Sequence, residues 1–264
     1  MRVNKAMAIT RLAIKLAAPL PELESFNSYL FIGPHPDDIE IGAGATAAKL
    51  AGMGKEICFL ICTDGRFGDG AVDERTSTEE LIEIRRQEAI SSAAVLGVKD
   101  VRFLNFSDGA LYDRDELMRR ILEVIGDFGA EVVLAPDPCV SSECHADHLK
   151  VGEAARKAAC FASYSTLSKA YGAKSSKVSA LAYYMTAKAN TIVKLSKKEL
   201  EKQLCSVFTC HTSQFPEGSE EGKAIALYIK IRSFDHGLRR LCAHGEGFRV
   251  LGPTHMHCLP EAGI

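Results

Sequence analysis

The sequence predicts an α/β fold: a Rossmann-like, mostly parallel sheet with helices on both faces, plus a small C-terminal strand and helix extension. Two observations carry this. From residue 28 onward, short apolar runs alternate with longer stretches of helical periodicity. The first four runs also end in segments rich in Gly, Pro and Asp, where an α/β sheet keeps its binding loops.

The first strand is expected at 28–32, ending in a stiff loop, Pro34-His35-Pro36-Asp37-Asp38. Its prolines exclude regular helix, and Gly33 supplies dihedral freedom. A small-residue helix, 41–51, follows, with Gly42 and Gly44 allowing close approach to the sheet. A second strand over 56–62 leads into the glycine-rich loop 63–70. Leu81, Ile82, Ile84, Ala89, Ala93, Val95 and Leu96 mark an amphipathic helix over 79–96, closed by Gly97. Strand 101–105, helix 114–128 and strand 131–135 complete the core pattern, and a helix beginning at or near His145 runs to about 161. Beyond it the polar stretch 163–177 reads as loop, 178–185 and 191–195 as strands, 197–210 and 222–240 as helices, and 245–251 as a last strand. All 264 residues read as a single domain, with an N-terminal helical extension over 1–27, the core over 28–162 and a C-terminal extension over 163–264.

Bulk properties narrow the function. With 32 basic against 34 acidic residues the net charge is −2, which gives no electrostatic drive toward nucleic acid or an anionic membrane. A small neutral substrate is expected. Nine cysteines, an odd number without a CxxC pair, suggest neither a disulfide framework nor a zinc ribbon, so reduced thiols in a cytoplasmic protein are expected. The first 20 residues are basic and alanine-rich, as in a targeting peptide, but Arg11 and Lys15 interrupt each apolar stretch. An amphipathic helix lying on the body fits better.

Chemistry concentrates in two clusters. His35, Asp37, Asp38 and Glu40 follow the first strand; His145, Asp147 and His148 follow the fourth. Either cluster alone also fits a local role, aspartates capping a helix or histidines bonding at a helix start. In a 3-2-1-4 strand order the first and fourth strands flank the switch point of the sheet, so both clusters would line one crevice. Two histidines and one carboxylate form a set that holds catalytic zinc while leaving a position open, and His35, Asp38 and His148 are the expected ligands. Asp37 would then stand beside the metal as general base. His145 and His148, three apart, share a helix face, so both point into the crevice while Asp147 turns aside and orients His145 to stabilise an oxyanion or protonate the leaving amine. This divides the labour of metal-assisted amide hydrolysis. A non-catalytic nucleotide-binding module is the competing class, but the carboxylates at the first helix start would repel a phosphate.

At these residues the sequence resembles the PIG-L/LmbE-like de-N-acetylase family, which carries an HPDD motif after the first strand and an HxDH motif after a later one. Thr63-Asp64-Gly65, the run Arg85 to Ala89, Leu96-Gly97-Val98 and Asp108-Gly109 fall in family-like order. Ala135 to Pro138, His211 to Phe215 and Gly245 to Val250 extend the likeness toward the archaeal diacetylchitobiose deacetylases, over roughly residues 28–260. The resemblance implies zinc-dependent removal of acetate from an N-acetylglucosamine unit, with the same ligands and base. It implies that Arg85 and Asp108 hold sugar hydroxyls, that His257 lies close to the active site of its own or a neighbouring subunit, and that the enzyme is a homo-oligomer, a hexamer being one candidate. Other glucosamine conjugates remain alternative substrates. Three departures stand out. Ala146 replaces the family's common proline, Cys139 replaces an aromatic residue, and the chain has no tryptophan, so Phe67 is left to stack on the sugar. His211 fits a core position, and Cys144 is a weak candidate for an extra ligand.

Overall fold

A computed structural model describes residues 13, 14 and 16–259. Most of the expected N-terminal helix lies outside the described residues.

Strand β1 (Ser28–Gly33) is buried along its whole length, as a central parallel strand must be. Its alternation divides the interior into two cores. Tyr29 and Phe31 pack with Ile39, Leu50 and Phe59 on one face, while Leu30 and Ile32 pack with Leu60, Leu122 and Ala155 on the other. In chain order there follow α1 (Asp38–Gly52), β2 (Glu56–Thr63), α2 (Thr78–Leu96), β3 (Asp100–Phe106), α3 (Arg114–Phe128), β4 (Val132–Pro136), α4 (Ala146–Ala162) and α5 (Ser165–Ala170). Then come β5 (Ala180–Tyr184), β6 (Thr191–Leu195), α6 (Lys197–Cys205), α7 (Glu220–Arg239), β7 (His244–Leu251) and α8 (Pro253–His257).

The sheet order is β3-β2-β1-β4-β5-β7-β6. Strands β1 to β5 are parallel, while β7 runs antiparallel to both β5 and β6. The expected α/β class and the adjacency of the first and fourth strands are therefore observed.

Helix α1 lies close against the sheet because Gly42 faces the ring of Tyr184; a Cβ there would stand 2.3 Å from Tyr184 Cδ2. Helix α2 starts in a capping box between Ser77 and Glu80 and stops at Gly97, whose φ of 91° is left-handed. Several boundaries differ from expectation. α1 begins at Asp38 rather than 41, because only residues up to Pro36 are barred from helix. The polar stretch after α4 contains α5, a short helix that Ser168 ties back by donating to the Phe161 and Ala162 carbonyls. The segment 197–210 is not uniform: α6 passes into a π-helical turn, Ser206–Cys210. Helix α8 follows Gly252, with Pro253 in its first turn.

Candidate active site

The loop after β1 turns at Asp37, which precedes α1 with φ 126° and ψ −29°. A non-glycine residue in such a conformation stores about 1–3 kcal/mol of strain. The local capping role is not the one adopted, since no side chain of this loop caps α1. Instead the Asp37 carboxylate accepts from Arg85 Nη2 at 3.2 Å through Oδ2, with no hydrogen bond on its other oxygen among the described residues. Burial raises its pKa to about 6, with the Arg85 charge opposing the rise and Asp38 adding to it.

Asp38 is the centre of the cluster. Its Oδ2 accepts from the His35 backbone amide at 2.9 Å and lies 3.0 Å from His35 Nδ1, while Oδ1 lies 3.3 Å from His148 Nε2. Each imidazole turns its second nitrogen to another carboxylate. His35 Nε2 lies 3.0 Å from Asp108 Oδ1, and His148 Nδ1 lies 3.0 Å from Glu143 Oε2. That is the outer arrangement of metal-binding histidines, in which a carboxylate fixes the tautomer from behind.

The electrostatics agree with a cation site. Burial opposes charge on His35, yet Asp108, Asp147 and Asp38 hold its pKa well above the ordinary value. Burial likewise opposes charge on His148, but Asp38 leads the groups that push it up to about 9. Burial raises Asp38, and the two histidines outweigh that and hold it well below the usual carboxylate range. The carboxylates thus draw protons onto two neighbouring imidazoles. A divalent ion held by His35, Asp38 and His148 would replace those protons with the same charge, so the donor set fits a metal. His35, His145 and His148 also bring nitrogens within 4.8 Å of one another, as His35, Asp108 and Asp147 bring ligand atoms.

Asp147 does not turn aside. It is completely buried, accepting from the amides of Gly109 at 3.1 Å and Ala110 at 3.0 Å and from Tyr112 Oη at 2.8 Å. Its Oδ2 stands 3.6 Å from His35 Nε2 and 3.7 Å from His145 Nδ1, outside hydrogen-bond length for both. Asp147 therefore anchors the loop after β3 beneath the histidines. His145 sits half-exposed at the mouth, with its ring stacked on His148 at 4.7 Å. Burial and the nearby charges of His35 and His148 depress its pKa, so it is neutral near pH 7.

Arg85 is buried under the loops, donating to Gly65 O at 2.8 Å and Pro36 O at 3.0 Å as well as to Asp37. Its guanidinium braces Asp37, and Asp108 backs His35 while also accepting from the Gly109 amide at 2.7 Å. Phe67 is 57% exposed and lies over Gly109 at the rim, beside Leu111. His257 is exposed on α8 and hydrogen-bonds to no site residue among the described residues. Cys144 donates to Ser142 O and is in neither group of candidate ligands.

Three supporting interactions were not foreseen. Glu143 holds His148, Tyr112 holds Asp147, and Asp137 forms a buried fork with Arg249 (2.8 and 2.5 Å) while accepting from Thr186 Oγ1 at 2.6 Å. The Pro136-Asp137-Pro138 punctuation after β4 was the available signal for the last. His211 is wholly buried, 3.4 Å from Glu40 Oε1, which also accepts from Ser92 Oγ at 2.6 Å; this is the expected core position.

Comparison with known proteins gives concordant findings. The profile of the PIG-L family, described as GlcNAc-PI de-N-acetylase, matches residues 30–159. A diacetylchitobiose deacetylase from Thermococcus kodakarensis is 32% identical over 97% of this chain and 94% of its own. The solved N,N'-diacetylchitobiose deacetylase from Pyrococcus horikoshii superposes with a TM-score of 0.84 at 30% identity, covering 97% of this chain and 96% of that one. A 1D-myo-inositol 2-acetamido-2-deoxy-alpha-D-glucopyranoside deacetylase from Kineococcus radiotolerans is 31% identical over 53% of this chain and 47% of its own.

Proposed function

This chain belongs to the PIG-L family of de-N-acetylases, and from that premise we propose that it hydrolyses the acetamide of N-acetylglucosamine-containing small sugars, diacetylchitobiose first among them. The observation that carries the reading is Asp38 set between His35 and His148, with the strained, buried Asp37 beside it.

His35, Asp38 and His148 would hold a divalent ion, for which zinc suits two imidazoles and a carboxylate. When bound, such an ion polarises the acetamide carbonyl and makes water a better nucleophile near neutral pH. The chain's own residues do the rest. Asp37, anchored by Arg85 through Oδ2, keeps its other oxygen free to take a proton from the attacking water. The water oxygen bonds to the carbonyl carbon, the C–N bond breaks, and the proton on Asp37 passes to the leaving nitrogen, giving the free amine and acetic acid, which releases its proton to solvent as acetate. His145, neutral at the mouth, donates its ring N–H to the carbonyl oxygen as charge develops there. Phe67 and Leu111 give the sugar an apolar rim.

Nine free cysteines support a reducing, cytoplasmic setting. Among the described residues no helix is long and apolar enough to cross a membrane.

The test measures acetate release from diacetylchitobiose, N-acetylglucosamine and an N-acetylglucosaminyl inositol, with zinc and with a chelator. Zinc-dependent release is expected, greatest from diacetylchitobiose. Absence of release from all three would overturn the reading, and preference for the inositol conjugate would move the substrate to that class.

A further inference from the structure

Phe67, at the rim over Gly109, lies in a tight turn that two side chains grip from outside the metal cluster. The Gly68 amide donates to Gly65 O at 3.0 Å, which closes a four-residue turn with Arg66 and Phe67 at its centre. Arg85 holds the first corner by donating to that same Gly65 carbonyl at 2.8 Å. The second corner belongs to Gln214, whose Nε2 donates to Gly68 O at 2.7 Å. The fit leaves no room for a side chain: a Cβ on Gly68 would stand 2.4 Å from Arg85 Nη1 and 2.8 Å from Gln214 Oε1.

Gln214 is itself held in place. It stands in the segment His211 to Phe215, next to Ser213, whose amide and hydroxyl donate to Glu88 at 2.8 and 2.6 Å. Thr212 Oγ1 donates to the same carboxylate at 3.1 Å. Glu88 is buried and lies three residues beyond Arg85 on α2, so one helix face supplies both supports, Arg85 directly and Glu88 through the segment. A buried carboxylate accepting three hydrogen bonds from one short segment fixes where that segment lies.

Beyond Gly68 the chain is otherwise untethered. From Asp69 to Thr76 every hydrogen bond among the described residues stays within that stretch. The Phe67 amide adds only a long bond, 3.4 Å, to Asp108 Oδ2. Loss of the Gln214–Gly68 bond would therefore loosen the chain from Phe67 to the start of α2.

We propose that Gln214 is a positioning residue for the sugar: by holding Gly68 it fixes the ring of Phe67 at the rim before substrate arrives, and so governs KM rather than turnover. The ring meets a part of the sugar that does not react, so its contribution is the same in the bound substrate and in the transition state. The inference rests on the deacetylase reading for the identity of the ligand. It does not involve the metal ligands or Asp37, to none of which Gln214 hydrogen-bonds.

Gln214→Met keeps the length of the side chain and removes its donor. With zinc still bound stoichiometrically and thermal unfolding unchanged, it should raise KM for diacetylchitobiose about three- to tenfold, the worth of one aromatic contact, and alter kcat less than about twofold. Gln214→Glu, which sets a carboxylate against the Gly68 carbonyl, should do at least as much. Phe67→Ala should raise KM by a similar factor, and Gln214→Met in that background should add less than about 1.5-fold. A further readout needs no turnover: the chain has no tryptophan, so Phe67→Trp carries the sole indole, and its emission anisotropy should fall when Gln214→Met is added. An unchanged KM in Gln214→Met, an effect fully additive with Phe67→Ala, or an unchanged anisotropy overturns the inference and leaves the deacetylase reading intact. A wild type that releases no acetate from any N-acetylated sugar overturns the deacetylase reading, and the sugar role of Gln214 with it.

Discussion

Nε2 of His148 lies 3.3 Å from Oδ1 of Asp38, although the two residues stand at opposite ends of the core sequence. The contact exists because β1 and β4 are neighbours and the chain leaves each at its carboxyl end. Asp38→Ala and His148→Ala should therefore both lose stoichiometric zinc in equilibrium dialysis. Asp108→Asn, which removes the carboxylate charge behind His35, should keep zinc with affinity lowered about 10–100-fold.

Asp37→Asn separates holding the metal from moving the proton. It should retain zinc and the fold while turnover falls by about 10²–10⁴, the usual contribution of a general base. Loss of zinc instead would mean that the roles of Asp37 and Asp38 are exchanged.

The buried Asp137–Arg249 fork joins the end of β4 to β7, and one guanidinium face also lies over the Tyr183 ring. Removing one partner strands a buried charge, so Arg249→Met should cost about 3–5 kcal/mol in urea unfolding. Arg249→Met with Asp137→Leu should cost less than Arg249→Met alone. Equal or greater loss in the double variant would show that the fork contributes more than mutual neutralisation.

Glu246 gives a pH dependence away from the catalytic cluster. It accepts from the Thr46 amide at 2.8 Å and from Gln203 Nε2 at 3.0 Å, and burial raises its pKa from the ordinary 4.5 to about 7. The folded state therefore binds this proton more tightly than the unfolded chain. Its contribution is full below pH 4.5 and is lost as pH rises to about 7, a change of about 3 kcal/mol. The stability of wild type relative to Glu246→Gln should fall by that order between pH 5 and 8. A difference that stays constant with pH would show that Glu246 is ionised throughout.

The unforeseen parts of the structure share a physical origin. Helix α5 carries too few apolar residues for a periodicity to register, and its Ser168 bonds depend on where α4 ends. Asp147 was expected to turn aside because helix geometry alone sets its direction relative to His145. Its actual position is set by two amides and a tyrosine from the loop after β3, groups that helical spacing cannot supply. Arg85 on an isolated helix looks like a surface charge; the loops carrying Gly65 and Pro36 close over it.

The sequence alone determined the alternation of strands and helices, because a parallel sheet buried on both faces requires uninterrupted apolar runs. It also determined the residue types gathered after the first and fourth strands, since imidazole and carboxylate chemistry is written in the side chains themselves. Tertiary structure decided the rest: that Asp38 joins two histidines, that Arg85 braces Asp37, and that Asp108 and Glu143 stand behind the rings. Those are through-space relationships a few ångströms long between segments tens of residues apart, and strand order and burial, not local spacing, set both their distances and their pKa values.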